Sequence, residues 1–396
     1  MLMFAASTSR ASLMEQPTAR GFSVRNYAVV PGPMALTFGR GGELYVGHEP
    51  AEDGVGEARI YRVLPDGEVQ PFGPPIGDPD AVLFDAAGVI ASRPDSVLVG
   101  GIDLASLGGA IHAIDPGGAA TAILGPSDAF FNPSDMILLD DGRLLFTDFN
   151  QNDVKATTGD EPQRLFEVEG PGFLAYDARN DRLYTSARRG KISVHRGDGT
   201  LVEEQLVATG RRAGLAIGAD DRFFGHDLYT VSGGGELLRI TAGGDVTVIG
   251  DGFGRVKDVA FGPDGNLYAS QFDVDRILQI RPAPFILGDM NGNGVVDAFD
   301  VDDFELALAD RAAFNRAHPQ IEAAFVGDID GNGVLNSGDV APFERLLAST
   351  GGPAAPEPGV AGVVACGAFL MTLRRREHAA RRCGGNLHSG VGLMET

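Results

Sequence analysis

The chain has 396 residues, with 54 Asp and Glu against 32 Lys and Arg, and its formal net charge is −22. Its only lysines are Lys155, Lys191 and Lys257, a balance that excludes a broad phosphate-binding surface and, with it, nucleic acid as a partner. With 56 Gly, 23 Pro, no Trp and 43% hydrophobic residues, the composition suits many short strands joined by tight turns around sizeable cores. The two cysteines, Cys366 and Cys383, leave everything before Cys366 without a disulfide.

Taken from the start, Met1-Leu2-Met3-Phe4-Ala5-Ala6 is shorter than a full signal-peptide apolar stretch. Residues 1–20 are therefore expected to be disordered or the remnant of a leader whose true start lies upstream, on a protein that is exported. From 21 to 285 one phrase recurs: a short apolar strand, a Gly/Asp turn, and a second apolar strand. Copies begin at Ala35, Ala81, Asp135, Phe173, Gly214 and Asp258, with second strands such as Leu44-Tyr45-Val46, Val89-Ile90-Ala91 and Leu144-Leu145-Phe146. Most are followed by a further hairpin, for example Ile60 to Val63 before Asp66-Gly67, and Ile192 to His195 before Asp198-Gly199. Four strands repeating at this period cover both of their faces by packing as the blades of a β-propeller, and the copies predict six blades. The last copy stops after Ile277-Leu278-Gln279-Ile280, while Gly21 to Val30 reads as a stray strand. That strand is predicted to complete the last blade and close the ring. The phrases Phe261-Gly262-Pro263-Asp264-Gly265-Asn266-Leu267-Tyr268 and Leu139-Asp140-Asp141-Gly142-Arg143-Leu144 resemble the repeat of the NHL and gluconolactonase/regucalcin group of six-bladed propellers.

After Pro282 and Pro284 the pattern changes. Asp289, Asn291, Asn293, Asp297 and Asp300 place oxygen side chains at positions 1, 3, 5, 9 and 12 of a twelve-residue loop, with Gly294 at position 6 and a backbone carbonyl from Val295 at position 7. Calcium needs six or more hard oxygen ligands, and a loop of this length with Gly at the sharp turn supplies them. The arrangement returns as Asp328, Asp330, Asn332, Gly333, Val334, Asn336 and Asp339. The position-7 side chains, with only their carbonyls engaged, are expected to be free to pack inward. Val301, Phe304 and Leu308 after the first loop correspond to Val340, Phe343 and Leu347 after the second, a helical face in each case. The two faces are expected to bury each other, with Pro282 and Pro284 opposing any helix before the first loop. Loop, exit helix, Asp at position 12 and tandem repetition over 286–350 together resemble a type I dockerin. The resemblance implies two Ca²⁺ ions and docking to a cohesin-type module on another protein. Positions 10 and 11 are Ala298-Phe299 in one half and Ser337-Gly338 in the other.

Residues 351–358 are a Pro-rich linker ending in Pro356-Glu357-Pro358. Gly359 to Leu373 carry no charge, Arg374-Arg375-Arg376 follow, and 377–396 are expected to be a disordered tail. A fifteen-residue helix covers roughly 22 Å, short of the ~30 Å hydrocarbon core. In this order the 351–376 features resemble the PEP-CTERM sorting signal, which implies a membrane-held helix over 359–376, recognition by exosortase-type machinery, and a cell-envelope, outer-surface or extracellular destination after processing.

No nucleophile motif, His-Glu-x-x-His or phosphate loop is present. Propeller sites are built at one end of the central channel, so the candidates follow the second strands (His48, Asp148, Arg188 and Gln271) or precede the first strands (Asp80, Asp135, Arg212 and Asp258). Such residues either hold a polar ligand or divalent metal, or pair with one another along a wet channel. The sequence thus reads as an exported, membrane-sorted, calcium-binding protein. Its propeller is a non-catalytic binding or interaction module of unspecified ligand. The alternative is an extracellular hydrolase or lactonase of polysaccharide degradation with a channel metal.

Overall fold

The computed structural model describes residues 17–350 apart from 50–57, 104–107, 128, 132, 160 and 220–222. Between Phe22 and Pro282 the chain forms six four-stranded antiparallel units, mainly β as the composition predicts. Their first strands (Pro33–Phe38, Gly77–Asp85, Pro133–Leu138, Leu174–Asp177, Ala216–Ile217 and Val256–Phe261) stand side by side around an axis, and the last returns to touch the first. The sixth unit has only three strands of its own. Phe22–Val29 supplies the fourth, pairing with Arg276–Pro282 from Phe22↔Pro282 to Val29↔Arg276. Thr18–Ala19, just before it, pairs with Val246–Asp251 of the fifth unit, so this segment staples two blades. Residues 17–20 therefore belong to the folded ring, which corrects the expectation that all of 1–20 is leader or disordered; Ala19 is 4% exposed.

Each strand feeds two cores because successive side chains point to opposite faces. Leu44 and Val46 pack with Tyr268 and Ile277 of the sixth blade, whereas Tyr45 between them packs with Val82 and Val97 of the second. Likewise Leu144 and Phe146 join the second blade's Leu98, while Leu145 joins Leu174 and Leu183 of the fourth. With the fourth–fifth and fifth–sixth cores, these clusters run right round the ring. The outermost strands, such as Leu201–Ala208, are largely exposed, but the second strands are buried on both faces, which explains their apolar runs such as Leu44-Tyr45-Val46 and Leu144-Leu145-Phe146. It also explains why Tyr45, Tyr184, Tyr229 and Tyr268 are all under 5% exposed.

One strand differs from its predicted position. Val89-Ile90-Ala91 is a turn, held by the buried Asp85 carboxylate, which accepts the backbone N–H groups of all three residues at 2.8–2.9 Å. The true second strand of that blade is Ser96–Ile102. Competition from a side-chain acceptor for the local N–H groups displaces the ladder.

The junctions between blades repeat a device. The first strands of blades one, two, three and six each carry a register shift near their start, which frees backbone groups from the ladder. Hydroxyls on the preceding blade meet backbone carbonyls at the start of a first strand or just before it: Ser270 Oγ donates to Met34 O, inside such a shift, at 2.7 Å, while Thr147 Oγ1 donates to Gly172 O at 2.8 Å and Ser186 Oγ to Ala213 O at 3.0 Å, ahead of blades four and five. Blades one and two have Gly47 and Gly100 at the same place, where a Cβ would lie 2.3 Å from Pro79 O and 2.6 Å from Pro133 Cβ.

Beyond Pro282 no helix precedes the first twelve-residue loop. Then follow α1 (Val301–Ala309), α2 (Arg311–Ala317, capped by Asp310), α3 (Ala323–Gly327), the second loop, and α4 (Val340–Thr350). Phe304 and Phe343, 1% and 3% exposed, stack with centroids 4.2 Å apart, and Val301, Leu308, Val340 and Leu347 pack around the same core. Val295 and Val334 do not pack inward: they are 53% and 56% exposed, while their neighbours Val296 and Leu335 are each 6% exposed. The segment after the glycine turn is extended, so adjacent side chains alternate and position 8 faces the core. No described helix is long and apolar enough to cross a membrane. Pro356, Glu357, Pro358 and Arg374 to Arg376, with the rest of 351–396 and of 1–16, lie outside the described residues.

Candidate functional site

The two loops are superposable in their hydrogen bonding. The position-1 carboxylate takes the N–H groups of positions 5 and 6: Asp289 from Asn293 and Gly294 at 3.1 and 2.8 Å, Asp328 from Asn332 and Gly333 at 3.0 and 2.9 Å. Position 5 takes that of position 7, Asn293 from Val295 and Asn332 from Val334. Position 9 caps the following turn, Asp297 from Phe299 and Asn336 from Gly338. The position-12 carboxylate reaches back to positions 3 and 9: Asp300 to Asn291 and Asp297, Asp339 to Asp330 and Asn336. Loop N–H groups thus fix the same alternate oxygens in both loops. In the second loop the ligand atoms of Asp328, Asp330 and Asp339 all lie within 4.8 Å of one another.

Asp289, Asp300, Asp328 and Asp339 are each 5% exposed or less, and among the described residues none of them forms an ion pair with Lys or Arg. Burial first, then the neighbouring Asp289, pushes the Asp300 carboxyl up. Buried like charges with only N–H partners, in an all-oxygen donor set of this spacing, fit a hard divalent cation of the size of Ca²⁺.

At the ring axis a cavity of about 290 Å³ is lined by the first strands of all six blades. Among the described residues Asp135 and Asp258 are the only charged side chains in that lining, from blades three and six, which face each other. Each uses one oxygen on the N–H of the next residue and the other on the next blade: Asp135 on Leu174 N at 2.7 Å, Asp258 on Leu36 N at 2.8 Å. Burial pushes both carboxyls up, and Asp135 adds to the shift at Asp258 by like-charge repulsion.

Arg212 belongs to a charged cluster rather than to this lining. Its Nη1 donates to Pro171 O at 3.1 Å, its guanidinium lies 4.3 Å over the Phe149 ring, and Asp80 is its charge neighbour. Burial, then Asp78 and Glu49, push the Asp80 carboxyl up, against Lys257 and Arg212. Lys257 stands 3.6 Å from Glu49.

The other candidates serve the scaffold. His48 is buried against Tyr61, and burial lowers its pKa. Asp148 is fully buried and holds the N–H groups of Phe131, Asn150 and Gln151. Arg188 makes an exposed ion pair with Glu169, and Gln271 donates to Phe253 O at 2.9 Å. None of the four lines the cavity that holds Asp135 and Asp258; Asp148, Arg188 and Gln271 bond to neighbouring turns and loops, while among the described residues His48 Nδ1 and Gln271 Oε1 are buried without a hydrogen-bond partner. Glu49 and Lys257, missed from sequence, each lie one residue from a chosen position, His48 and Asp258. In an extended chain that one step reverses the side, and only the strand ends settle which parity faces the axis.

No protein-family model matches the sequence, and no curated protein matches it. Solved structures do match. A gluconolactonase of Xanthomonas campestris aligns with a TM-score of 0.52 at 19% identity, over 66% of this chain and 89% of that one. An auxiliary nutrient binding protein from Bacteroides ovatus gives 0.51 at 13%, over 67% and 78%. A glucose dehydrogenase gives 0.50 at 16%, over 66% and 100%. The fold is that of a β-propeller. A gluconolactonase, a nutrient binding protein and a glucose dehydrogenase share the propeller, so the ring by itself selects none of these activities.

Proposed function

We propose that this chain is a calcium-binding interaction protein, a propeller joined to a dockerin-like tandem calcium segment. The observation that carries the reading is the repeated oxygen cage, in which two loops 39 residues apart (Asp289 and Asp328) aim the same positions inward with the same backbone bonds. Bound Ca²⁺ would supply the charge that the buried aspartates lack. In the first loop Asp289, Asn291, Asn293, Asp297, Asp300 and the Val295 carbonyl would hold it; in the second, Asp328, Asp330, Asn332, Asn336, Asp339 and the Val334 carbonyl. Calorimetric titration of the full chain should give two Ca²⁺ sites, with Asp289→Ala removing one and Asp328→Ala the other. Flat titrations to millimolar Ca²⁺ would sink the assignment.

The same proposal extends to export, membrane sorting through 351–376 by exosortase-type machinery, and a cohesin-type docking partner. Phe299, at position 11 of the first loop and 79% exposed, is available for such a contact. A second reading, hydrolysis of a lactone or sugar in the channel, is favoured by the opposed Asp135 and Asp258 carboxyls, a pair able to hold a proton near neutrality, and by the gluconolactonase among the structural neighbours. Hydrolysis of gluconolactone, assayed with and without added divalent metal and lost in Asp258→Asn, would support it; inactivity under all these conditions would dismiss it.

A further inference from the structure

The calcium segment is built onto the seam of the ring. Gly21, which turns the chain into the closing strand Phe22–Val29, has φ +74°, and a Cβ there would lie 2.6 Å from Glu322 Cβ and 2.8 Å from the Phe325 ring. The closing strand's Phe22 stacks on Phe224 of the fifth blade at 4.7 Å and meets Phe325 of α3 edge-on at 5.2 Å. Phe223 meets the same Phe325 at 5.2 Å, and Phe285 completes the group at 6.0 Å from Phe223. Ala283 N also donates to Gly21 O at 2.9 Å.

Helix α3 is the piece pressed on the seam, and it has five residues, too few to be stable alone. Both loops hold it. The second loop begins at its C-terminal end with Asp328, and Gly288 N, one residue before the first loop, donates to Val326 O at 2.7 Å. Without a cation, the carboxylates gathered in each loop repel one another at close range, which works against the two loops that hold α3.

We propose that calcium in the two loops latches the propeller shut through α3 and the Phe22–Phe325 contact. This rests on the calcium reading above. Metal binding that orders the loops also orders α3, and α3 covers the turn where the closing strand enters the sixth blade. Removing calcium then frees that strand before any other.

The test is hydrogen–deuterium exchange on the full chain in Ca²⁺ and in chelator. Exchange over 18–29 and 276–282 is expected to speed up about tenfold or more on chelation, with Ser96–Ile102 and Leu144–Asp148 unchanged. Phe325→Ala should keep two Ca²⁺ sites, with affinity within about threefold, yet lose the calcium-dependent protection of the closing strand. Should that variant fail to fold, Phe223→Ala is read in the same way. Two bound Ca²⁺ with unchanged exchange at the seam would overturn the latch alone. Protection that survives in the Phe variants would do the same. No Ca²⁺ binding would overturn the site assignment, and the latch with it.

Discussion

Ser270 sits at the ring seam with no exposed surface, accepting Asp258 N at 2.8 Å and donating to Met34 O at 2.7 Å. Both backbone groups lie in the register shifts of their strands. Ser270→Ala therefore strands one buried N–H and one buried carbonyl. At about 1–3 kcal/mol for each unsatisfied group, and less for a carbonyl that relaxes, the expected loss is about 3 kcal/mol. For a domain of a few hundred residues that is a fall of about 6 °C in Tm. Urea unfolding followed by far-ultraviolet dichroism, at fixed calcium, reads it. Ser270→Thr restores the hydroxyl that Thr147 uses at the equivalent place and should stay within about 1 kcal/mol of wild type. A Ser270→Ala protein within about 0.5 kcal/mol of wild type would refute the view that hydroxyl-to-carbonyl bonds hold neighbouring blades.

Lys155 and Asp153 form an ion pair at 2.9 Å with both side chains 5% exposed. Lys155→Ala should cost about 3–5 kcal/mol by leaving a buried carboxylate, and Lys155→Met with Asp153→Leu should recover most of it; a neutral single variant in urea unfolding would contradict the pairing. Because burial raises Asp135 and Asp258 in the folded state, the unfolded chain holds fewer protons between its own carboxylate pKa, about 4, and the folded values. Their contribution to stability therefore falls as pH rises through that window. Asp258→Asn should flatten this slope relative to wild type at pH 5 and 8, and a steeper slope would show the opposite linkage. Phe304→Ala, removing a ring stacked inside the helical core, should cost that segment about 3–5 kcal/mol and weaken calcium binding in calorimetry, whereas unchanged affinity would separate the helices from the loops.

The blades are legible because each turn signal repeats and the second strands are buried on both faces, so their apolar runs announce the period. The second strand of blade two was not, since Asp85 captures the N–H groups of Val89 to Ala91, and a buried side-chain acceptor leaves no periodic trace. Loop positions were readable because coordination fixes spacing. The direction of Val295 and Val334 was not, because it depends on one step of alternation after Gly294 and Gly333. Asp135 and Asp258, standing before first strands, line the axial cavity, whereas Asp148, Arg188 and Gln271, at the ends of second strands, bond to neighbouring turns and loops. Nothing in the sequence joined α3 to Gly21, which are far apart in the chain.

The seam also sets an order of events. Arg25 hydrogen-bonds Gln279 across a sequence separation of 254 residues, so the strand that completes the last blade leaves the ribosome long before its partner exists. Until Arg276–Pro282 emerges, an eight-residue strand carrying Phe22, Val24 and Tyr27 has an unpaired edge, and ring closure is the contact with the greatest loop entropy to overcome. Blades one to five can assemble sequentially on local hairpins while that edge waits. The interval between synthesis of the first strand and of the sixth blade is the period in which the chain is most exposed to pairing with a neighbour's open edge.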